Sequence, residues 1–321
     1  MHTLFTHILA QYKSGNSLKI QEIQTVFPHI LENFTDFIAL TQENPLTAIP
    51  PFTCSIVNAK SGLCAENCAF CAQSSHYTTT APVYPLMDAS SLYRHAEHLA
   101  SNGIAYMGIV TSGTGPTKKD FLSLCQLANR ISTTLPIKLC ASLGVLTFQQ
   151  ACTLKEAGFT SYHHNLETAA SFYPQICTTH SYAIRLNTVK NAVKAGLRVC
   201  SGGIFGLGET WQHRMEFAQT LSELGVHSIP VNFLMPIAGT PLESAQPLSP
   251  MEALAILVLL RLMHPTRDIV LCGGSSQTLQ HWKKHFYQAG ANGLMVGNYL
   301  TQKGRPLAED MALLHSLEGT L

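Results

Sequence analysis

Charge is scarce in this chain: Asp, Glu, Lys and Arg make up 12% of its 321 residues and nearly cancel, leaving a net charge of +1. That is about half the usual charged share of a globular protein. No basic run and no stripe of mixed basic and aromatic residues occurs, so nothing in the sequence marks a nucleic-acid footprint. Long hydrophobic runs are missing too. The longest strongly apolar stretch, Ala253 to Met263, is too short for a membrane span and carries Arg261, so it reads as a buried helix. The opening residues MHTLFTHILAQYK hold no long apolar signal core, and no linker or low-complexity segment divides the chain. These absences point to a cytoplasmic protein that stays off membranes. What is present is apolar: 46% of residues, enough for a large core and for the interface of a homodimer. Ten cysteines without a secretion signal are better explained by reduced thiols and metal ligation than by disulfides.

Three of these cysteines are set apart by their spacing. The run Cys64-Ala-Glu-Asn-Cys68-Ala-Phe-Cys71 puts three thiols into one short loop. A zinc knuckle would bring paired CxxC units or a CxxC with a HxxxH partner, and no second pair lies nearby. A disulfide framework suits small secreted chains, not one of this length. Four cysteines would saturate a 4Fe-4S cluster and suit it to carrying electrons, whereas three leave one iron free to chelate a small molecule. The CxxxCxxC run resembles the loop of the radical S-adenosylmethionine enzymes. In that superfamily the free iron holds S-adenosylmethionine, and an electron from the cluster releases a 5'-deoxyadenosyl radical. Phe70, between the second and third thiols, is placed to cover the cluster and touch adenine.

Along the first 50 residues, Ile20, Ile23, Val26, Phe27, Ile30, Leu31, Phe34, Phe37 and Ile38 recur at helical spacing, interrupted by Pro28. They predict an N-terminal helical extension over residues 1–50. After Pro50-Pro51, short apolar runs alternate with longer amphipathic segments, the runs beginning at Cys54, Ala105, Ile137, Thr160, Leu197, His227, Arg267 and Asn292. Eight strands with crossover helices predict an α/β fold, a (β/α)8 TIM-type barrel over residues 51–321. Catalytic side chains in such a barrel sit at the C-terminal strand ends, and the cysteine loop, Cys140, His163, Asn165, Glu167, Cys200, Asn232 and Cys272 fall at or near those ends. By the two-residue period of a strand, His163, Asn165 and Glu167 share one face and His164 takes the other. The glycines of GGIFGLGE would let backbone approach a ligand closely.

Five segments, NAKSGLCAENCAFCAQSSHY (58–77), YHHNLET (162–168), VCSGGIFGLGET (199–210), IPVNFLMPIAGTPL (229–242) and HPT (264–266), together resemble the biotin synthase family. The likeness is specific because the segments match in order at nearly the family's spacing. It implies conversion of dethiobiotin to biotin by inserting sulfur between two unactivated carbons, whose C–H bonds are too strong for acid–base chemistry and call for a cofactor-borne radical. It also implies a flavodoxin- or ferredoxin-type electron donor and the iron-sulfur assembly machinery. Carried over by position, Cys64, Cys68 and Cys71 are the catalytic ligands of the radical-forming 4Fe-4S cluster. Arg185 takes the S-adenosylmethionine carboxylate, which suits a guanidinium fork, although by itself it reads as a solvated helix charge. Glu167 takes the ribose hydroxyls. Asn165 and Asn232 hold the ureido ring of dethiobiotin, since a carboxamide offers the donor and acceptor that a urea needs. His163 stands where better-studied members carry Asn; it can donate to the substrate or simply pack.

The resemblance implies a second, auxiliary iron-sulfur cluster as sulfur donor, usually 2Fe-2S on three cysteines and one arginine. Cys140 and Cys200 match two of those ligands, but Gly108 stands at the third and Val270 at the arginine. We therefore expect a rebuilt site of a four-iron kind on Cys140, Cys200 and Cys272, because Cys272 lies two residues beyond Val270 and projects from the same strand face. Cys177, in ICTTHSY, is a further candidate ligand. Cys125 and Cys152 read as core thiols on helices, and Cys54 as structural, at the start of the first strand and far from the mouth. Two other classes keep part of this pattern. A sibling barrel of the hydrogenase-maturase or methylornithine-synthase type needs no sulfur donor, and an iron-sulfur electron carrier cleaves no S-adenosylmethionine.

Overall fold

The computed structural model describes residues 8, 18–43, 45–301 and 304–318. Its centre is a sheet of parallel strands: β1 (Phe52–Lys60), β2 (Tyr106–Thr111), β3 (Lys138–Ser142), β4 (Phe159–His163), β5 (Arg198–Cys200), β6 (Gly203–Phe205), β7 (Ser228–Phe233), β8 (Asp268–Leu271) and β9 (Gly293–Met295). The order runs β5-β4-β3-β2-β1-β9-β8-β7-β6, and a β5–β7 pairing closes the ring. This is the expected (β/α)8 barrel, with one difference. The fifth strand is two pieces, β5 and β6, because the chain is pinched at Gly202 and Gly203. A Cβ on Gly202 would lie 2.0 Å from the Pro230 carbonyl oxygen, and one on Gly203 would lie 2.2 Å from that of Glu167. These glycines thus serve backbone packed on backbone rather than backbone packed on a ligand.

The crossover helices are α3 (Ala89–Ser101), α4 (Lys118–Thr134), α5 (Phe148–Glu156), α6 (Tyr182–Lys194), α7 (Trp211–Glu223) and α8 (Pro250–Met263), after α1 (Ile20–Glu32) and α2 (Phe34–Glu43). Asp88, Thr117, Thr147, Thr210 and Ser249 each accept the N–H three residues on, starting α3, α4, α5, α7 and α8. Helix α8 is the expected buried helix. Arg261, in its last turn, donates to the carbonyls of His264, Pro265, Arg267 and Gly290. No helix among the described residues is long and apolar enough to cross a membrane. The expected interruption at Pro28 is absent: α1 runs through it and stops at Asn33. Pro28 sits on the exposed face, where one missing N–H costs little against the buried stripe of Ile23, Phe27 and Ile30. That stripe packs on α7 and α8, with Phe27 and Trp211 edge to face at 5.1 Å. Helices α9 (Ser275–Leu279) and α10 (Leu307–Glu318) flank β9.

Candidate active site

Along β1 the side chains alternate between buried Thr53, Ser55 and Val57 and half-buried Phe52, Cys54, Ile56 and Asn58. Of the half-buried set, Phe52, Cys54 and Ile56 face a cavity of about 480 Å³ that runs from the barrel interior to its C-terminal mouth. That volume suits a small-molecule site. The cysteine loop follows β1 and is knit by its own backbone: Cys64 N–H donates to Gln73 O at 3.0 Å, Cys71 N–H to Cys68 O at 2.9 Å and Ser75 N–H to Cys64 O at 2.7 Å. Cys64, Cys68, Cys71 and Phe70 all line the cavity. Three thiols on one ordered loop, turned to a shared cavity, form a donor set that fits three irons of a four-iron cluster.

Arg185, on α6, is not a solvated helix charge. It is 9% exposed, and its guanidinium donates to Tyr173 Oη at 2.8 Å, to Asn165 O at 2.9 Å and to Glu167 Oε1 at 3.2 Å. Its Nη2 stands 3.9 Å from Cys68 Sγ, so the cation reaches the cysteine loop. Burial alone would lower its pKa, but the Glu167 carboxylate outweighs that and holds the charge more firmly than usual. Glu167 is held above the usual carboxylate range by burial, with Arg185 pulling the other way. Its backbone is left-handed, φ 72°, where it bridges to Gly203. This kink follows the end of β4 at His163, so the two-residue period lapses and His164 also lines the cavity, stacked on Tyr162. The expectation that His164 points wholly away is corrected on that ground. His163 remains on the interior wall, where burial pushes its imidazole down to about 4.

Asn165, two residues past the end of β4, and Asn232 on β7 line the same cavity. Each side-chain carbonyl accepts a glycine N–H, Gly202 to Asn165 at 3.2 Å and Gly273 to Asn232 at 3.0 Å. Each NH₂ gives one bond inward, to Glu167 and to Gly203 O. A carboxamide fixed in this way keeps a second lone pair and a second N–H for a ligand.

Deeper in the barrel, Cys140, Cys200 and Cys272 line the cavity together with Cys54, and all four are free thiols. Burial pushes Cys54 up to about 12 and Cys140 up to about 11. Burial, then charge from neighbouring thiols, raises Cys200 and Cys272 well above the ordinary value. A metal cluster is the partner that would stabilise several thiolates in so dry a place, so this donor set fits an auxiliary cluster. One expectation is corrected here and one residue is added. Cys54, far from the mouth as expected, stands level with Cys140 and Cys200, because barrel strands are staggered. Cys177 is not among them: it lies 3.7 Å from Cys68 and 3.3 Å from His180 Nδ1, in the loop before α6. Cys125 and Cys152 sit on α4 and α5, outside the barrel.

The sequence reading missed the clasp between two loops. Asn67 Oδ1 accepts the N–H groups of Thr178 and Thr179, and Glu66 pairs with His180 at 2.7 Å, tying the cysteine loop to the segment before α6. In the sequence, ICTTHSY signals only its thiol. Arg198 was missed as well; it lines the cavity floor and pairs with Asp268, and its spacing two residues before Cys200 was the available signal.

A closed parallel barrel whose first strand runs into a three-cysteine loop, with a buried arginine beside the middle thiol, defines a radical S-adenosylmethionine enzyme. The profile of the radical SAM superfamily matches residues 60–221, and that of the biotin and thiamin synthesis associated domain matches 230–319. The chain is 55% identical over 274 residues to a biotin synthase of Nitratidesulfovibrio vulgaris (strain Miyazaki F), covering 83% of this chain and 75% of that one. It is 50% identical over 266 residues to a biotin synthase of Geobacter metallireducens, covering 83% and 81%. The chain belongs to the biotin synthase family. Among solved structures, methylornithine synthase superposes with a TM-score of 0.79 at 18% identity, covering 97% of this chain and 96% of that one. An FeFe-hydrogenase maturase of Carboxydothermus hydrogenoformans gives 0.78 at 18%, covering 98% and 78%. At that identity these two show the fold alone.

Proposed function

We propose that the chain forms biotin from dethiobiotin with the labour divided between the mouth and the interior of one cavity. When bound, the 4Fe-4S cluster and S-adenosylmethionine supply a hydrogen-abstracting radical, and the auxiliary cluster supplies the sulfur atom. Cys64, Cys68 and Cys71 hold the first cluster, with Phe70 over it. Arg185 binds the S-adenosylmethionine carboxylate through its remaining donors, and Glu167, fixed by Arg185 and Asn165, receives the ribose hydroxyls. Asn165, Asn232 and His163 orient the ureido ring between the two clusters; His163, kept neutral by burial, donates or accepts without adding charge. Cys140, Cys200 and Cys272 hold the auxiliary cluster.

The observation that carries this reading is the continuity of the cavity, which joins the loop thiols to the interior thiols past the two asparagines. Residues 51–321 are read as one catalytic unit, with 1–50 as an N-terminal extension whose described helix α1 packs on α7 and α8; both profile matches fall on strands of the one closed sheet. A cytoplasmic homodimer, a flavodoxin- or ferredoxin-type reductant and loading by the iron-sulfur assembly machinery belong to the same reading. The test is Cys68→Ala. The anaerobically reconstituted variant should release no 5'-deoxyadenosine and form no biotin, while its melting curve stays close to that of the parent. Release of 5'-deoxyadenosine at the parental rate would overturn the assignment.

A further inference from the structure

The register of the barrel says which interior side chains share a layer. In an eight-stranded barrel of shear 8, crossing two strands along the hydrogen bonds and stepping two residues towards the mouth stays at one height, so alternate strands supply each layer. From Cys54 the pairing runs to Tyr106 and on to Lys138, and two residues further is Cys140. From Cys140 it runs to Ser161 and Arg198, and two further is Cys200. From Cys200 it runs to Ser228 and Asp268, and two further is Val270, which returns through Gly293 and Phe52 to Cys54. One layer therefore holds Cys54, Cys140, Cys200 and Val270. Cys272 stands one step nearer the mouth, directly above Val270.

We propose that Cys54 is the fourth ligand of the auxiliary cluster, completing a cage with Cys140, Cys200 and Cys272. This rests on the reading of the interior thiols given above and extends it. Three sulfurs approach from three sides of one layer, and the fourth descends on the remaining side from the level above. Such a staggered set surrounds a compact body rather than a flat one, and four thiolates saturate a 4Fe-4S core without an arginine. The packing agrees: Cys54 lies against the small cluster of Val270, Cys272 and Met295, while Gly108 on the neighbouring strand offers no side chain and would carry a Cβ 3.0 Å from Ile56 Cγ2. Ligation lost at 108 on the second strand reappears at 54 on the first. Ligation lost at 270 reappears at 272 on the same strand.

The experiment uses the full chain with Cys64, Cys68 and Cys71 all changed to Ala, so that only the interior site can load. After anaerobic reconstitution this background should hold about four iron and four sulfide per chain, with one cluster signature in the Mössbauer spectrum. Adding Cys54→Ala should lower the iron at least twofold. Adding Cys54→Ser, which keeps the volume, should leave the metal-free melting curve in place while changing the Mössbauer parameters. Adding Cys152→Ala should change neither. Full iron and an unchanged spectrum in both Cys54 variants would overturn the proposal alone. A background that binds no iron, or one iron without sulfide, would overturn the interior cluster itself, and the two failures are thereby told apart.

Discussion

Arg185 is the side chain on which most of the mouth depends. It is buried, it neutralises Glu167, and it stands beside Cys68. Removing one member of a buried pair leaves the other charge without compensation, at roughly 3 kcal/mol. Arg185→Met should therefore lower the melting temperature by several degrees and weaken S-adenosylmethionine binding at least tenfold. Arg185→Lys keeps the charge but not the fork, so it should recover stability more than affinity. Equal recovery of both would deny the guanidinium its binding role. Asn165 and Asn232 make a second pair of tests. Truncating either to Ala leaves a ligand's urea short of a partner, at roughly 1 to 3 kcal/mol. Dethiobiotin should bind about tenfold more weakly by calorimetry with S-adenosylmethionine affinity nearly unchanged; an unaltered dissociation constant for dethiobiotin in both variants would remove them from the substrate site.

At the level of elements, the pinch between β5 and β6 decides where Glu167 stands. Gly203→Ala would drive a methyl into the Glu167 backbone, which already holds a left-handed conformation. We expect a chain several degrees less stable, with weakened S-adenosylmethionine binding by equilibrium dialysis and unchanged iron at the interior site. The same pinch shows what was readable from the sequence. The eight strands were legible because their apolar runs are short, bounded by turn residues and evenly spaced. The split of the fifth was not, since a pair of glycines does not say whether a ligand or a neighbouring strand comes close. The mouth thiols were legible because they are local in the chain. The place of Cys54 was not, because stagger between distant strands sets its height, and no count along one strand contains that. Arg185 read as exposed for a related reason: Tyr173, Asn165 and Glu167, which bury it, belong to a loop and a strand end whose paths no periodicity describes.

Across the whole molecule, the low charge content means that buried polar groups matter more than surface ones. His264 is 3% exposed, its Nε2 has no hydrogen-bond partner among the described residues, and burial pushes its imidazole down to about 4. Its folded value lies below the unfolded one, so the unfolded chain takes up the proton first. The stability is complete above about pH 6.5 and is lost as pH falls towards about 4, a change of about 3 kcal/mol. Metal-free protein should melt progressively lower over that range, and His264→Gln should flatten the slope; an unchanged slope would place the acid sensitivity elsewhere. The cavity that joins mouth and interior has one further consequence, for the history of each molecule. The interior thiols sit on strands far apart in the chain and meet only when the ring has closed, above the Arg198–Asp268 pair. One cavity leads from them to the mouth between Cys64, Cys68 and Cys71, so on the proposed reading a cluster bound for the inner site passes the ligands of the outer one. On that reading maturation has an order, the inner chamber provisioned before the outer door is fitted. A chain whose outer site is filled first should stay half-finished until that site is emptied again.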